Sequence, residues 1–364
     1  MEFGLSEDQR LLRESIGGTL EKTAPLERVR KAAERRENYA RDIWDALADL
    51  GVAGMLVPEE FGGMGLGLLD AALAAEMLGR HVVPVPFIAT AVMAPIAIAG
   101  AGSKAQQAAW LPKLASGEAI AGVAVAERAS GARDGAGVSA AGGKLTGTAL
   151  FALDAAAADV IIVADKAGGL HLVTAKAPGL TTVRLTSIDL TRTLTELRFD
   201  NVEAEALASG DAAATLARVI DAGRVMLAAD TLGAGWMMID KAVAYAGERK
   251  QFGRVIGSFQ AVKHMCAEMA AELEPCRSLV WYAAHAFDET PDEAGLMAAH
   301  AKAHTGEVGR FVARTATEVH GGMGFTDLVG LHYWFKRIGL DRQLLGSPER
   351  VRQAAAVMQG WAAD

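Results

Sequence analysis

Little in this chain invites a covalent or metal-built scaffold. It has only two cysteines in 364 residues, Cys266 and Cys276, on segments of helical pattern. Their spacing suits neither a zinc site nor a disulfide framework, so a reduced, cytoplasmic setting is expected. Aromatic residues are 6% against 51% hydrophobic. Alanine fills much of the difference and favours long helices over sheet. Positive charge is in deficit: 36 Lys and Arg face 44 Asp and Glu, a net charge of −8. That argues against a basic surface for nonspecific nucleic-acid binding. No run of about eighteen uncharged apolar residues occurs, so no membrane span is expected. Residues 82–101 are apolar but broken by Pro84, Pro86, Pro95 and Gly100. The start, MEFGLSEDQRLL, lacks a basic stretch followed by an apolar one, so it does not read as a signal peptide. His300 and His304 share a helix face, but no H-E-x-x-H and no third ligand accompanies them, and no metal site is expected. Gly62-Gly63-Met64-Gly65-Leu66-Gly67 misses the G-x-G-x-x-G spacing and has no βαβ alternation around it. It reads as a turn between helices.

Three regions of different period are present. Ser6-Glu7-Asp8-Gln9 is a capping-box pattern that opens a helix with the stripe Leu11, Leu12, Ile16, Leu20. A second helix is expected over about 27–51, its run RVRKAAERR being a solvated face. A third spans about 68–79, and another ends near Ala115. From about 121 to 204 the pattern changes to short β-branched runs such as DVIIVAD and LTELRFDNV, bounded by Gly or Asp. Lys166-Ala167-Gly168-Gly169 reads as a hairpin connection. Helical pattern returns over 211–247, 258–287 and 292–319. A final helix follows Ser347-Pro348, an N-cap with Pro at the first position. Pro275 predicts a kink.

The stretch KAVAYAGERKQFGRVIGSFQAVKHMCAEMA (241–270) organises the rest. Phe259, Val262, Met265, Cys266, Met269 and Leu273 recur at steps of three and four, which buries one face of a helix. Before it stands the turn Arg249-Lys250-Gln251-Phe252-Gly253-Arg254. A guanidinium can meet a phosphate in a fork, a ring can pack on a flat group, and Gly admits close backbone approach. A solvated turn capping a helix hairpin would carry the same residue types.

The stretch ERKQFGRVIGSFQAVKHMCAEM nevertheless resembles the signature of acyl-CoA dehydrogenases. VPEEFGGMGLGLLDAALAAEMLG (57–79), WLPKLASGEAIAGVAVAE (110–127), LTELRFDNV (194–202) and TEVHGGMGF (317–325) resemble that family's other motifs, in its order. The resemblance implies a mainly α fold. An N-terminal helical domain (1–120) would precede a small central antiparallel β-barrel domain (121–204) and a C-terminal four-helix bundle (205–364). It implies FAD as cofactor, an acyl-CoA substrate oxidised between Cα and Cβ, and an electron-transfer flavoprotein or similar acceptor. It carries FAD contacts onto Arg249, Gln251, Phe252, Glu318, Gly321 and Gly322, which in such proteins reach the cofactor of a neighbouring subunit. Glu318 stands where relatives usually have Gln.

Two departures from the family pattern matter. The turn that normally reads T-E-P-G-A-G-S-D is Ala126-Glu127-Arg128-Ala129-Ser130-Gly131-Ala132-Arg133, so Ala126 offers only backbone to the flavin ring. The W-x-T element becomes Phe151-Ala152-Leu153, again without the hydroxyl. The family's catalytic Glu occupies one of two places, which correspond here to Gly223, before the buried Arg224, and Leu345, before Gly346-Ser347. Neither takes a proton. Asp221 and Asp230 read as surface or capping carboxylates, and Asp341 and Glu349 as weak replacements. The chain is therefore similar to the subunit without a catalytic Glu in actinobacterial α2β2 enzymes for sterol side chains. There a homologous Glu-bearing subunit shares the FAD site. A self-sufficient dehydrogenase with a relocated base, and a flavin monooxygenase on the same fold, are the alternatives.

Overall fold

A computed structural model describes residues 4–363. Met1–Phe3, part of the stretch read above for a signal peptide, lie outside the described residues. Twelve α-helices are present among them: α1 (Glu7–Thr23), α2 (Leu26–Glu34), α3 (Arg41–Asp49), α4 (Leu68–Arg80), α5 (Ala94–Ala101), α6 (Lys104–Ala115), α7 (Ala126–Ser130), α8 (Ala212–Glu248), α9 (Gln260–Glu289), α10 (Pro291–His320), α11 (His332–Gln343) and α12 (Pro348–Met358). One sheet contains β1 (Ala121–Ala124), β2 (Gly137–Ala141), β3 (Lys144–Leu153), β4 (Val160–Ala164), β5 (Leu170–Thr174), β6 (Leu180–Arg184), β7 (Leu194–Glu203) and β8 (Glu205–Leu207). A two-stranded hairpin, β9 (Lys250–Gln251) with β10 (Arg254–Val255), lies apart.

The expected capping box is formed: Ser6 Oγ accepts from Gln9 N–H, and Gln9 Oε1 accepts from Ser6 N–H, both at 3.1 Å. The expected helix 27–51 divides into α2 and α3. Between them Arg36 takes φ 51° and Ala40 N–H donates to Pro84 O. The cause is tertiary, since the segment docks on the sheet region. Thr193 Oγ1 donates to Asn38 O at 2.8 Å, and Arg184 donates to Asn38 Oδ1. The proline-broken stretch is also more regular than expected. A π-helical turn, Ile88–Met93, runs straight into α5. A wider turn accommodates Pro95, which has no N–H to give and would crowd the carbonyl four residues back.

The sheet runs in the order β6-β7-β3-β1-β4-β5-β8, with β2 on β3. Its pairs are antiparallel except β1 with β4, which are parallel. This departs from an all-antiparallel barrel because β2, β3 and a short 3-10 turn at Ala155–Ala157 return the chain to the start of β1 before β4 begins. β4 is buried along its whole length. Ile161 and Val163 face a core enclosed by the sheet with Leu145, Leu197 and Phe199, while Val160 and Ile162 face the helices. Burial on both faces explains its unbroken apolar run.

The C-terminal region is built on α8. α4 crosses it so closely that a Cβ on Gly233 would lie 1.8 Å from Glu76 O, and one on Gly79 2.0 Å from Asp230 O. α9 continues through Pro275. α11 is an addition to the helices read from sequence. Its buried face comprises Tyr333, Trp334, Arg337, Ile338 and Asp341. Two of these five are charged, so apolar periodicity could not reveal it.

Candidate active site

Two surfaces bear the residues singled out from sequence, one at each end of α8. The first is a cleft of about 230 Å³. The start of α7 (Ala126, Glu127), the end of β3 (Leu150, Phe151), the loop Leu185–Ser187 and the stretch Leu340–Leu345 line it. β3 slips register against β7 between Ala149 and Ala152. Within that bulge Phe151 takes φ 56° and turns its ring partly outward. Glu127 is the carboxylate of the cleft, and its Oε1 accepts from Leu150 N–H at 2.6 Å. Sequence reading passed over it, as it did Ser130, Thr186 and Ser187, which also line the cleft. Two of these, Thr186 and Ser187, come from another segment to a cleft in which Ala126 supplies no hydroxyl. The signal for them is spatial, because loop 185–187 is distant in sequence from α7.

Gly223 and Leu345 meet here. A Cβ on Gly223 would lie 2.5 Å from Leu345 Cδ1 and 3.0 Å from Met93 Sδ. The two base positions of the family therefore converge on one space, and it is filled by two apolar side chains. Leu345 is buried with φ 54°. Arg224 Nε donates to Leu345 O at 3.1 Å and Nη2 to Ala129 O at 3.4 Å. Asp221 is not a surface carboxylate: it pairs with Arg224 at 3.4 Å, and burial raises its pKa.

Asp230 and Asp341 are likewise internal, each facing buried guanidiniums. Asp230 meets Arg192 and Arg337, each at 3.1 Å, and Asp341 meets Arg192 at 3.1 Å. Asp189 meets Arg337 at 3.2 Å. This buried junction joins the loop before β7 to α8 and α11. Burial raises Asp154, beside the same two arginines, to about 7 and raises Asp341 well above the carboxylate range. Glu349 is exposed, its carboxyl held at about 2 by hydrogen bonds from its own backbone, Ser347 and Arg342.

The second surface is the far end of α8. Arg249 is its C-cap, and β9 and β10 follow, joined by Phe252 (φ 52°) and Gly253 (φ 77°). Two successive left-handed residues make the tight turn that suits a two-residue hairpin. Phe252 is 91% exposed, its ring edge-on to Phe259. Gln251 Nε2 donates only to Lys250 O, and among the described residues the Arg249 side chain has no hydrogen-bond partner. Tyr245 stacks on His320 at 4.7 Å, tying the end of α8 to the end of α10. Exposed Glu318, Gly321 and Gly322 therefore stand beside the hairpin, with Phe325 and Leu328 also exposed. From Gly223 to Arg249 the helix rises about 39 Å, so these two surfaces cannot grip the same ring. His300 and His304 belong to neither, and among the described residues no cluster could hold a metal.

Comparison with known proteins decides the family. The acyl-CoA dehydrogenase N-terminal domain matches residues 6–118 and the C-terminal domain residues 212–358. The chain belongs to the acyl-CoA dehydrogenase family. The acyl-CoA dehydrogenase IpdE2 of Mycolicibacterium smegmatis is 31% identical over 97% of this chain and 99% of its own. Among solved structures, a variant of the Tcur3481-Tcur3483 steroid ACAD is 31% identical, with TM-score 0.87 over 97% of this chain and 98% of that one. The ChsE4-ChsE5 complex from Mycobacterium tuberculosis is 25% identical, with TM-score 0.90 over the whole of both chains. This acyl-CoA dehydrogenase is an oxidoreductase acting on the CH–CH bond of acyl-CoA, and the family's cofactor is FAD. The lining fits a flat ring with a polar edge: six leucines and Phe151 stand beside Ser130, Thr186 and Ser187. No helix of the described residues is long and apolar enough to cross a membrane.

Proposed function

We propose that this chain is the subunit without a catalytic base in a heteromeric acyl-CoA dehydrogenase, completing the FAD site of a homologous Glu-bearing partner. The observation that carries this reading is the convergence of Gly223 and Leu345 on a space filled by Leu345 and Met93. Abstraction of the α-proton needs a carboxylate there, and geometry comes before acidity in choosing a base. When bound, FAD supplies the acceptor for the β-hydrogen. The exposed surface supplies the contacts. Arg249 would fork onto the pyrophosphate, Phe252 would pack on the adenine side, and the open backbone at Gly321 and Gly322 would admit close approach. Gln251 adds an amide. Glu318 in its ionised form can only accept hydrogen bonds, where a Gln would also donate. Ala126 would meet a flavin ring in the chain's own cleft through backbone alone.

Of the two solved relatives named above, both are named for two components and one for a steroid ACAD, which supports a heteromer and a steroid-type acyl group, while the α2β2 form is the one expected from the family resemblance. An electron-transfer flavoprotein remains the acceptor expected from the family. Free Cys266 and Cys276 support a cytoplasmic setting. The domain limits 1–120, 121–204 and 205–364 are those we assign to the subunit.

One observation favours a self-sufficient enzyme instead: Glu127 places a carboxylate in the cleft. Flavin content separates the readings. The chain purified alone should be colourless, and co-expressed with a Glu-bearing family member it should carry about one flavin per two chains. One flavin per chain alone, with enoyl-CoA formed and lost in Glu127→Gln, would overturn the proposal. Product that depends on oxygen would point to the monooxygenase alternative.

A further inference from the structure

The link between α11 and α12 forms the inner wall of the cleft, and its backbone is in a state that its sequence does not favour. Leu345 and Gly346 have φ 54° and 110°. A leucine in the left-handed region is held there by its surroundings. The holding groups are two buried cations. Arg224, from α8, donates to Leu345 O. Lys302, from α10, is 2% exposed, and its Nζ donates to Arg342 O at 3.0 Å and to Gly346 O at 3.2 Å. α10 lies close under the link, because a Cβ on Gly306, one turn beyond Lys302, would lie 3.5 Å from Arg342 Cγ and 3.6 Å from Pro348 Cγ.

We infer that Lys302 is a positioning residue: by bridging the carbonyls of Arg342 and Gly346 it fixes the link so that Leu345 is pressed over Gly223 and the cleft keeps its wall. A buried ammonium is costly unless its donors are used. Here the protons meet a carbonyl in the last turn of α11, which has no partner within that helix, and the carbonyl just before the N-cap of α12. A methionine would fill the volume but leave both carbonyls unpaired. The charged groups around the ammonium are Arg224 on α8 and Asp341 and Arg342 on α11. Glu307, on α10, is engaged with Arg342, as is Glu349 on α12. The inference rests on the reading above only in taking Leu345 over Gly223 as the closure of the base position, and it stands wherever the flavin ring lies.

The test uses the full chain, co-assembled with its partner and FAD, as wild type, Lys302→Met and Lys302→Arg. Hydrogen exchange is followed at the amides of 343–347 and of α9, beside the flavin absorption spectrum. In Lys302→Met the link amides should exchange at least about tenfold faster, because two charge-assisted hydrogen bonds are lost. The α9 amides should be unchanged, and so should the flavin spectrum, because the reading above places the working ring in the partner's cleft. Lys302→Arg, which keeps its donors, should return the link amides toward wild type. Unchanged exchange at 343–347 in Lys302→Met, or acceleration spread equally over α9, would overturn the inference. A local acceleration with a shifted flavin spectrum would support the role of Lys302 while placing a flavin in this chain's own cleft, against the reading above.

Discussion

The two ends of α8 differ in what their side chains are bound to. Around Gly223 the buried cations are engaged within the chain: Arg224 with Leu345 O, Ala129 O and Asp221, Lys302 with two carbonyls, and Arg337 with Asp189 and Asp230. Around Arg249 the large groups point outward, and Phe252 is 91% exposed. A buried, self-satisfied end contributes to stability. An outward end with an aromatic ring, a free guanidinium and glycine backbone contributes little to its own fold, and its contacts must come from outside. Substitutions at the two ends should therefore register in different measurements.

The largest loss of stability is expected at the buried junction. Arg337 binds Asp230, Asp189, Thr191 and Val83 O. Arg337→Met removes one partner and strands the carboxylates, a change that costs about 3–5 kcal/mol. Urea titration with an unchanged slope would check it. Next is Gly223→Glu. The new side chain would enter space held by Leu345 and Met93, and overpacking of this kind costs about 1–3 kcal/mol. Combining it with Leu345→Gly should recover most of the loss, because Gly opens the space and accepts a positive φ. If the two changes simply add, the side chains do not compete and the convergence of the base positions is wrong.

The buried end should also show in the pH profile. Asp154 holds its proton up to about 7, so the folded state binds more protons than the unfolded one between the ordinary carboxylate range and neutrality, and stability falls as pH rises there. Asp341 acts in the same direction. Lys302 loses its proton near 7, far below the unfolded value, so above neutrality the unfolded state binds more protons and stability rises with pH. These groups together predict a minimum of stability near pH 7. Lys302→Met should flatten the rising limb, with the falling limb retained. A single maximum near neutrality in the wild type would contradict the buried charges.

The same contrast governs what sequence could disclose. Local chemistry was readable: the Ser6 cap, the Ser347-Pro348 start of α12, the β runs and the Gly-rich turn at Gly62–Gly67 all stand where local rules put them. The exposed turn at Arg249–Gly253 was readable too, since its residues depend on few others. α11 was hidden because Arg337 and Asp341, which read as solvent-facing, are the residues it buries. Asp230 misled for the same reason, its partners Arg192 and Arg337 lying far off in sequence. The break at Arg35–Ala40 is imposed by docking on Arg184 and Thr193, and no local signal announces it. The base positions could be counted by resemblance, but only the structure brings Gly223 and Leu345 together.

The smallest effect on stability should belong to the most consequential residues. Phe252→Ser and Arg249→Ser remove exposed groups with few contacts in this chain, so unfolding should change by no more than about 0.5 kcal/mol. In the co-expressed complex the same changes should weaken FAD retention about tenfold or more, the value of one charge-assisted contact to a phosphate for Arg249. Flavin released on gel filtration at matched protein concentration measures it. Ala126→Thr is the counterpart at the other end: it restores a hydroxyl in the chain's own cleft and should leave retention unchanged if the flavin is held in the partner's. A large gain from Ala126→Thr together with no loss from Arg249→Ser would reverse the assignment, placing the working cofactor at the buried end of α8 and leaving the outward turn without a role.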